Sequence, residues 1–149
     1  MLLPIGQQLI YFILMIYHKD YVIKLIQQFI VFLAKVFKLK SNEDPEVLLI
    51  EIEKAYALFL GYPKEVLLKL DLNSLIHLFS IHNYFQYERL GILGILLLEE
   101  ADIYKNLNSP EEAQLLKKKG IELLDFCIDN IEDKEFKTII KKNLEDAKQ

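Results

Sequence analysis

Apolar residues recur at helical spacing through almost the whole chain. The stretch Leu90 to Leu98 has no polar side chain, and it lies inside a longer segment, Gln86 to Tyr104, with helical character at both ends. A helix that is apolar all round must be covered on every side, so this segment reads as the central helix of the fold. Tyr21 to Leu39 reads as an amphipathic helix. Asp20, Lys24, Gln27, Gln28, Lys35 and Lys38 fall on one stripe, interrupted only by Val31. The opposite face carries Val22, Ile23, Ile26, Phe29, Ile30, Leu33, Val36 and Phe37. Ahead of it, Met1 to Tyr17 is apolar, with an unbroken run from Leu9 to Tyr17.

Punctuation residues divide the rest. Asp44 can cap a helix and Pro45 fits its first position, where a missing N–H costs nothing. That helix ends at Gly61 with Pro63 beyond, and Leu48, Ile52, Ala55 and Phe59 mark its buried stripe. Two short helices follow, Pro63 to Leu70 and Leu75 to Phe79, the second capped from Asp71 to Ser74; His82-Asn83-Tyr84 reads as a turn. Gly91 and Gly94 lie three apart on the central helix. Each costs about 1 kcal/mol against alanine, so they predict close approach of a neighbouring helix.

Ser109, Pro110, Glu111 and Glu112 start the next helix, with Ser109 as its cap and the two carboxylates complementing the helix dipole. It runs to about Ile131, with Leu116, Gly120, Leu123, Leu124, Cys127 and Ile131 inward. Asp133 begins the last helix, with Phe136, Ile139, Ile140 and Leu144 inward. No segment alternates with period two. The fold class is all-α, a compact helical bundle of about six or seven helices. Residues 1–18 form an apolar N-terminal extension and residues 19–149 a single helical domain. Met15 offers an alternative natural start, which would make the first 14 residues an upstream extension of the reading frame.

Composition sharpens this picture. Hydrophobic residues make up 52% of the chain while charged residues still make up 27%, which suits helices with broad apolar faces, some of them covered by another subunit. The apolar run is cut by His18, Lys19 and Asp20, short of the roughly 20 residues of a membrane span. No Lys or Arg precedes Lys19, so a secretory signal is not indicated. Residues 1–40 carry five lysines against Asp20 alone, a net charge of +4; the remainder carries 13 basic and 21 acidic residues, a net charge of −8. An acidic body with Arg89 as its lone arginine argues against nucleic acid as a partner. The basic first helix would meet an acidic surface, either a membrane or the acidic body itself. One cysteine, Cys127, permits no intramolecular disulfide and fits a reducing, cytoplasmic setting.

Little in the chain points to catalysis. His77 and His82 stand five apart and do not share a helix face as an i, i+4 metal pair would, and His18 is remote in sequence. Cys127 sits on an inward face, the setting of a structural thiol rather than a nucleophile. Glu99, Glu100 and Asp102 point in different directions on one helix and read as a solvated edge. No catalytic, cofactor or metal site is expected, and the chain is not expected to be an enzyme. Tyr84, Phe85, Tyr87 and Arg89, where the central helix begins, form an aromatic and arginine cluster of the kind found in binding surfaces.

Glu100-Ala-Asp-Ile-Tyr104, continuing through Asn108-Ser-Pro110-Glu-Glu-Ala113 to Gly120, resembles one tetratricopeptide repeat. Ala101 and Tyr104 match the small and aromatic positions of its first helix, Ala113 and Gly120 the small positions of its second. Lys117 and Asn108 depart from the motif, which has an aromatic residue and glycine there. The resemblance implies an antiparallel helical hairpin in the C-terminal half. From Lys19 onward, the segments Asp20-Tyr-Val-Ile-Lys-Leu-Ile-Gln-Gln-Phe29, Leu33-Ala-Lys-Val-Phe37, Leu58-Phe-Leu-Gly61 and Glu99-Glu-Ala-Asp-Ile-Tyr104 resemble a family of small bacterial helical proteins of unknown function. That resemblance implies the fold and assigns no activity.

These readings lead to one expectation of function, a non-catalytic protein-interaction or assembly module, self-associating through the first helix. The expected surface comprises Tyr84, Tyr87, Arg89, Phe29, Leu33 and Phe37. The alternative is a peripheral membrane protein anchored by its cationic amphipathic N-terminal helix.

Overall fold

The computed structural model describes residues 4–42, 44–81 and 85–149. Seven α-helices make up the described residues: α1 (Ile5–Leu39), α2 (Pro45–Leu60), α3 (Lys64–Leu68), α4 (Leu72–Ser80), α5 (Gln86–Asn106), α6 (Pro110–Cys127) and α7 (Lys134–Ala147). A 3₁₀ turn, Ile128–Asn130, joins the last two. The all-α bundle read from the sequence is the fold of the protein, and no strand occurs among the described residues.

α5 is the centre. Every residue from Leu90 to Leu98 is buried, and α2, α4, α6 and α7 all pack against it. Its pairing with α6 is antiparallel: Leu98 and Gly94 lie against Gly120, while Tyr87, farther back on α5, meets Phe126, farther along α6. Glycine permits that approach. A Cβ added to Gly120 would stand 3.0 Å from the Gly94 carbonyl oxygen and 2.9 Å from Leu98 Cδ2. Gly91 serves α7 in the same way, with Phe136 and Ile140 over it. Three aromatic rings tie in α1, since Phe29 meets Phe59 of α2 edge-on at 5.2 Å and Phe136 of α7 at 6.1 Å.

Three expected caps form. Asp44, Asp71 and Asp133 accept backbone N–H groups of Glu46, Ser74 and Phe136 at 2.7–3.0 Å. Gly61 closes α2 with φ +79°, a conformation that costs glycine nothing. Ser109 differs: its side chain makes no cap bond. Asn108 takes the left-handed conformation (φ 58°), and the Ser109 N–H bonds back to the Tyr104 carbonyl, so the connection is built from backbone. α6 also stops at Cys127, not near Ile131; Ile131 remains buried after the 3₁₀ turn.

The first helix is longer than its amphipathic pattern. α1 runs unbroken from Ile5 through His18, Lys19 and Asp20 to Leu39, 35 residues. At 1.5 Å per residue it is about 52 Å long. The change near residue 18 is one of burial. No residue from Ile5 to Tyr21 is buried, whereas Val22, Leu25, Ile26, Phe29 and Val36 are.

Candidate interaction surface and a buried carboxylate

From Leu9 to Tyr17, α1 is an apolar helix that no other described helix covers. Ile5 is 83% exposed, and each residue from Leu9 to Tyr17 is between 47% and 71% exposed. Nine consecutive residues at 100° per residue cover every side of a helix, so the apolar surface has no polar back. Farther along, Ile23 and Phe37 remain exposed and Leu33 half-buried, on the flank beside the buried face. Val31, the apolar residue on the polar stripe, is exposed as its position requires.

The six expected surface residues have different fates. Phe37 is on the surface and Leu33 at its edge. Phe29 is a correction: its exposure is 0%, because it occupies the middle of the inward face and meets rings from α2 and α7. Tyr87 is half-buried, its ring 6.0 Å from that of Phe126. Arg89 is half-buried, and its Nε finds no hydrogen-bond partner among the described residues. Tyr84 lies outside the described residues. Leu33 and Phe37 belong to α1, Tyr87 and Arg89 to α5.

Glu100 is the second correction. Its neighbours Glu99 and Asp102 keep solvent contact, but Glu100 is fully buried. It follows Leu96 and Leu97 by four and three residues, so it continues their buried face. Glu99 stands at the same spacing from buried Ile95 and Leu96, so spacing alone does not single out Glu100. A buried carboxylate needs partners, and both oxygens have one. Tyr56 Oη donates to Oε2 at 3.0 Å, and Lys64 Nζ donates to Oε1 at 3.0 Å. Lys64 also reaches Glu53 at 3.4 Å and lies 5.8 Å from the centre of the Tyr104 ring. The network thus ties α2 and the short α3 to α5.

Burial raises the Glu100 carboxyl above the ordinary glutamate value, and the bonds from Lys64 and Tyr56 oppose some of that rise. Burial, reinforced by the charge of Glu100, pushes the Tyr56 phenol well up. Burial alone would lower Lys64, but its bond to Glu100 and that carboxylate's charge leave it raised, so the amine stays an ammonium. With both oxygens and the ammonium engaged, the group fastens helices.

A second electrostatic tie joins the end of α1 to α5, where Lys40 pairs with Glu99 at 2.5 Å and Asp102 at 3.8 Å. Beside it is a hollow of about 250 Å³ lined by Lys40, Pro45, Leu48, Asp102, Lys105 and Asn106. Glu88 is buried near the start of α5, and burial raises its carboxyl. Cys127 is buried and its thiol is pushed up to about 12 by that burial. Among the described residues, no three His, Cys, Asp or Glu side chains are grouped to hold a metal ion, and no helix is long and apolar enough to cross a membrane. Compared with known proteins, the chain matches no family model, no curated protein and no solved structure.

Proposed function

We propose that the protein is a non-catalytic interaction or assembly module that self-associates through its first helix. The observation that carries this reading is the uncovered apolar surface of Ile5 to Tyr17, projecting beyond a body whose own core is closed. Ordinary monomers seldom leave contiguous apolar patches of more than a few hundred Å² in water. The net +4 of residues 1–40 beside a net −8 for the rest favours contact between copies as well. In this reading the acidic, single-cysteine chain works in a bacterial cytoplasm. The α5–α6 pair serves as a tetratricopeptide-like hairpin. Buried Ala101 and Gly120 and half-buried Ala113 and Tyr104 fill the small and aromatic positions of that motif.

The test is the light-scattering mass of the full chain across a range of concentrations. The expected result is a mass at least twice the 17.5 kDa of one chain, rising with concentration if the association is weak. A mass of one chain at every concentration rejects the proposal. One observation favours a second reading, peripheral attachment to a membrane: the exposed apolar run is followed by Lys19 and Lys24, which would meet anionic headgroups beside it. Under that reading the protein sediments with anionic vesicles, and salt weakens the binding.

A further inference from the structure

We infer that α1 pairs with the α1 of a second copy as a parallel, in-register coiled coil, along a seam of Ile5, Leu9, Phe12, Ile16, Lys19 and Ile23. This rests on the assembly reading above and adds the contacting face, the direction and the register. The spacings alternate between four and three residues, the 3.5-residue repeat of a left-handed coil. Leu9 to Tyr17 is apolar at every position, so the repeat is marked by its flanks. Ile5 precedes Gly6, Gln7 and Gln8, and Ile23 follows the polar His18, Lys19 and Asp20 after only two residues. The same alternation continues through Ile26, Ile30, Leu33 and Phe37. Ile26 is buried, so there the seam turns into the body, and the free stretch is Ile5 to Ile23.

The five apolar seam residues are 37% to 83% exposed. At roughly 200 Å² for a large apolar side chain they leave on the order of 600 Å² per helix, or about 1,200 Å² per pair, the low end of what a stable complex buries.

Charge decides the direction. Lys19 is the one charged residue on the open seam, and Asp20 flanks it. Parallel, in-register pairing brings the two Lys19 side chains into one layer but sets each beside the Asp20 of the second copy, so two carboxylates offset the two ammonium groups. Antiparallel pairing of the same open segment puts Lys19 against Leu9, which strips water from an ammonium and returns no partner.

The experiment is oxidative cross-linking of full-length I16C and L14C, with light-scattering mass measured on both before oxidation. Leu14 is exposed like Ile16 but lies two residues earlier, on the far side of the helix from the seam. Cys127 is buried and gives little background. In-register seam residues approach closely enough for a disulfide, whose Cα atoms stand about 4.4–6.8 Å apart. The expected result is a two-chain mass with I16C cross-linking at least tenfold faster than L14C. A two-chain mass with equal rates, or with no cross-link in I16C, overturns the seam and leaves the assembly reading standing. A one-chain mass overturns both, whether or not the protein sediments with anionic vesicles.

Discussion

Two runs of nine apolar residues, Leu9–Tyr17 in α1 and Leu90–Leu98 in α5, have opposite fates in one chain. The α5 run is buried at every position, and each residue of the α1 run is at least 47% exposed. Their compositions differ in one respect. The α5 run holds Gly91 and Gly94, which let α6 and α7 close onto its backbone; the α1 run holds Tyr11, Phe12 and Tyr17 and no glycine. An apolar run therefore states that a helix needs cover, and small residues within it indicate that the cover comes from the chain's own neighbouring helices. The run of α1, filled with bulky rings, is left bare by the chain's own described helices.

The sharpest way to break this comparison is a lysine in each run. Leu96→Lys puts an unpaired ammonium at a position with no exposure, and a loss of more than about 4 kcal/mol, enough to abolish folding, is expected. Circular dichroism of the purified variant would show it as lost helix; a cooperative melt at the parent's temperature would sink the idea that α5 is covered on all sides.

Next in size is Lys64→Met, which leaves Glu100 buried without its cation and is expected to cost roughly 3–5 kcal/mol in denaturant unfolding at neutral pH. Its pH dependence follows from the raised Glu100 carboxyl. The folded protein holds that proton more tightly than the unfolded chain. The stability linked to it is therefore fully present at acidic pH and is lost as pH rises above the ordinary 4.5. Removing Lys64 raises the carboxyl further and deepens that loss. The gap between variant and parent should thus narrow in acid and widen toward neutrality. An equal gap at both ends would show that Lys64 acts through packing alone.

Glycine gives a smaller contrast. Gly120→Ala gains about 1 kcal/mol of helix propensity but must separate a pair of backbones already in contact, at about 1–3 kcal/mol, so a net loss of roughly 1 kcal/mol is expected. Gly6→Ala meets nothing within 4 Å and should be neutral or slightly stabilising. Thermal melts of the two variants decide it, and a more stable Gly120→Ala would refute the close-approach account. The smallest effect belongs to Ile13→Lys, expected within about 0.5 kcal/mol of the parent because the position is already in water. Chemical denaturation of protein diluted until its mass is that of one chain measures it; a loss of several kcal/mol there would mean that the α1 run is covered by the chain after all.

Helix order, the aspartate caps, the αL glycine after α2 and the central position of α5 were legible in the chain, because each depends on spacing or on a residue's own backbone preference. The candidate surface was only partly legible. Phe29 and Phe37 lie on the same broad apolar face of α1 by periodicity, yet one has no exposure and the other 79%, since Phe59 of α2 and Phe136 of α7 pack on Phe29. Glu100 looked like its neighbours Glu99 and Asp102. Its burial depends on Tyr56 and Lys64, which are 44 and 36 residues away.

The order of residues was enough to set which segments are helical and which of their faces need cover, because helical periodicity and capping act over a few residues. Tertiary packing settled which apolar faces receive that cover, which carboxylate enters the core and which run is left bare. Those outcomes depend on how distant helices meet, and no local spacing encodes that geometry.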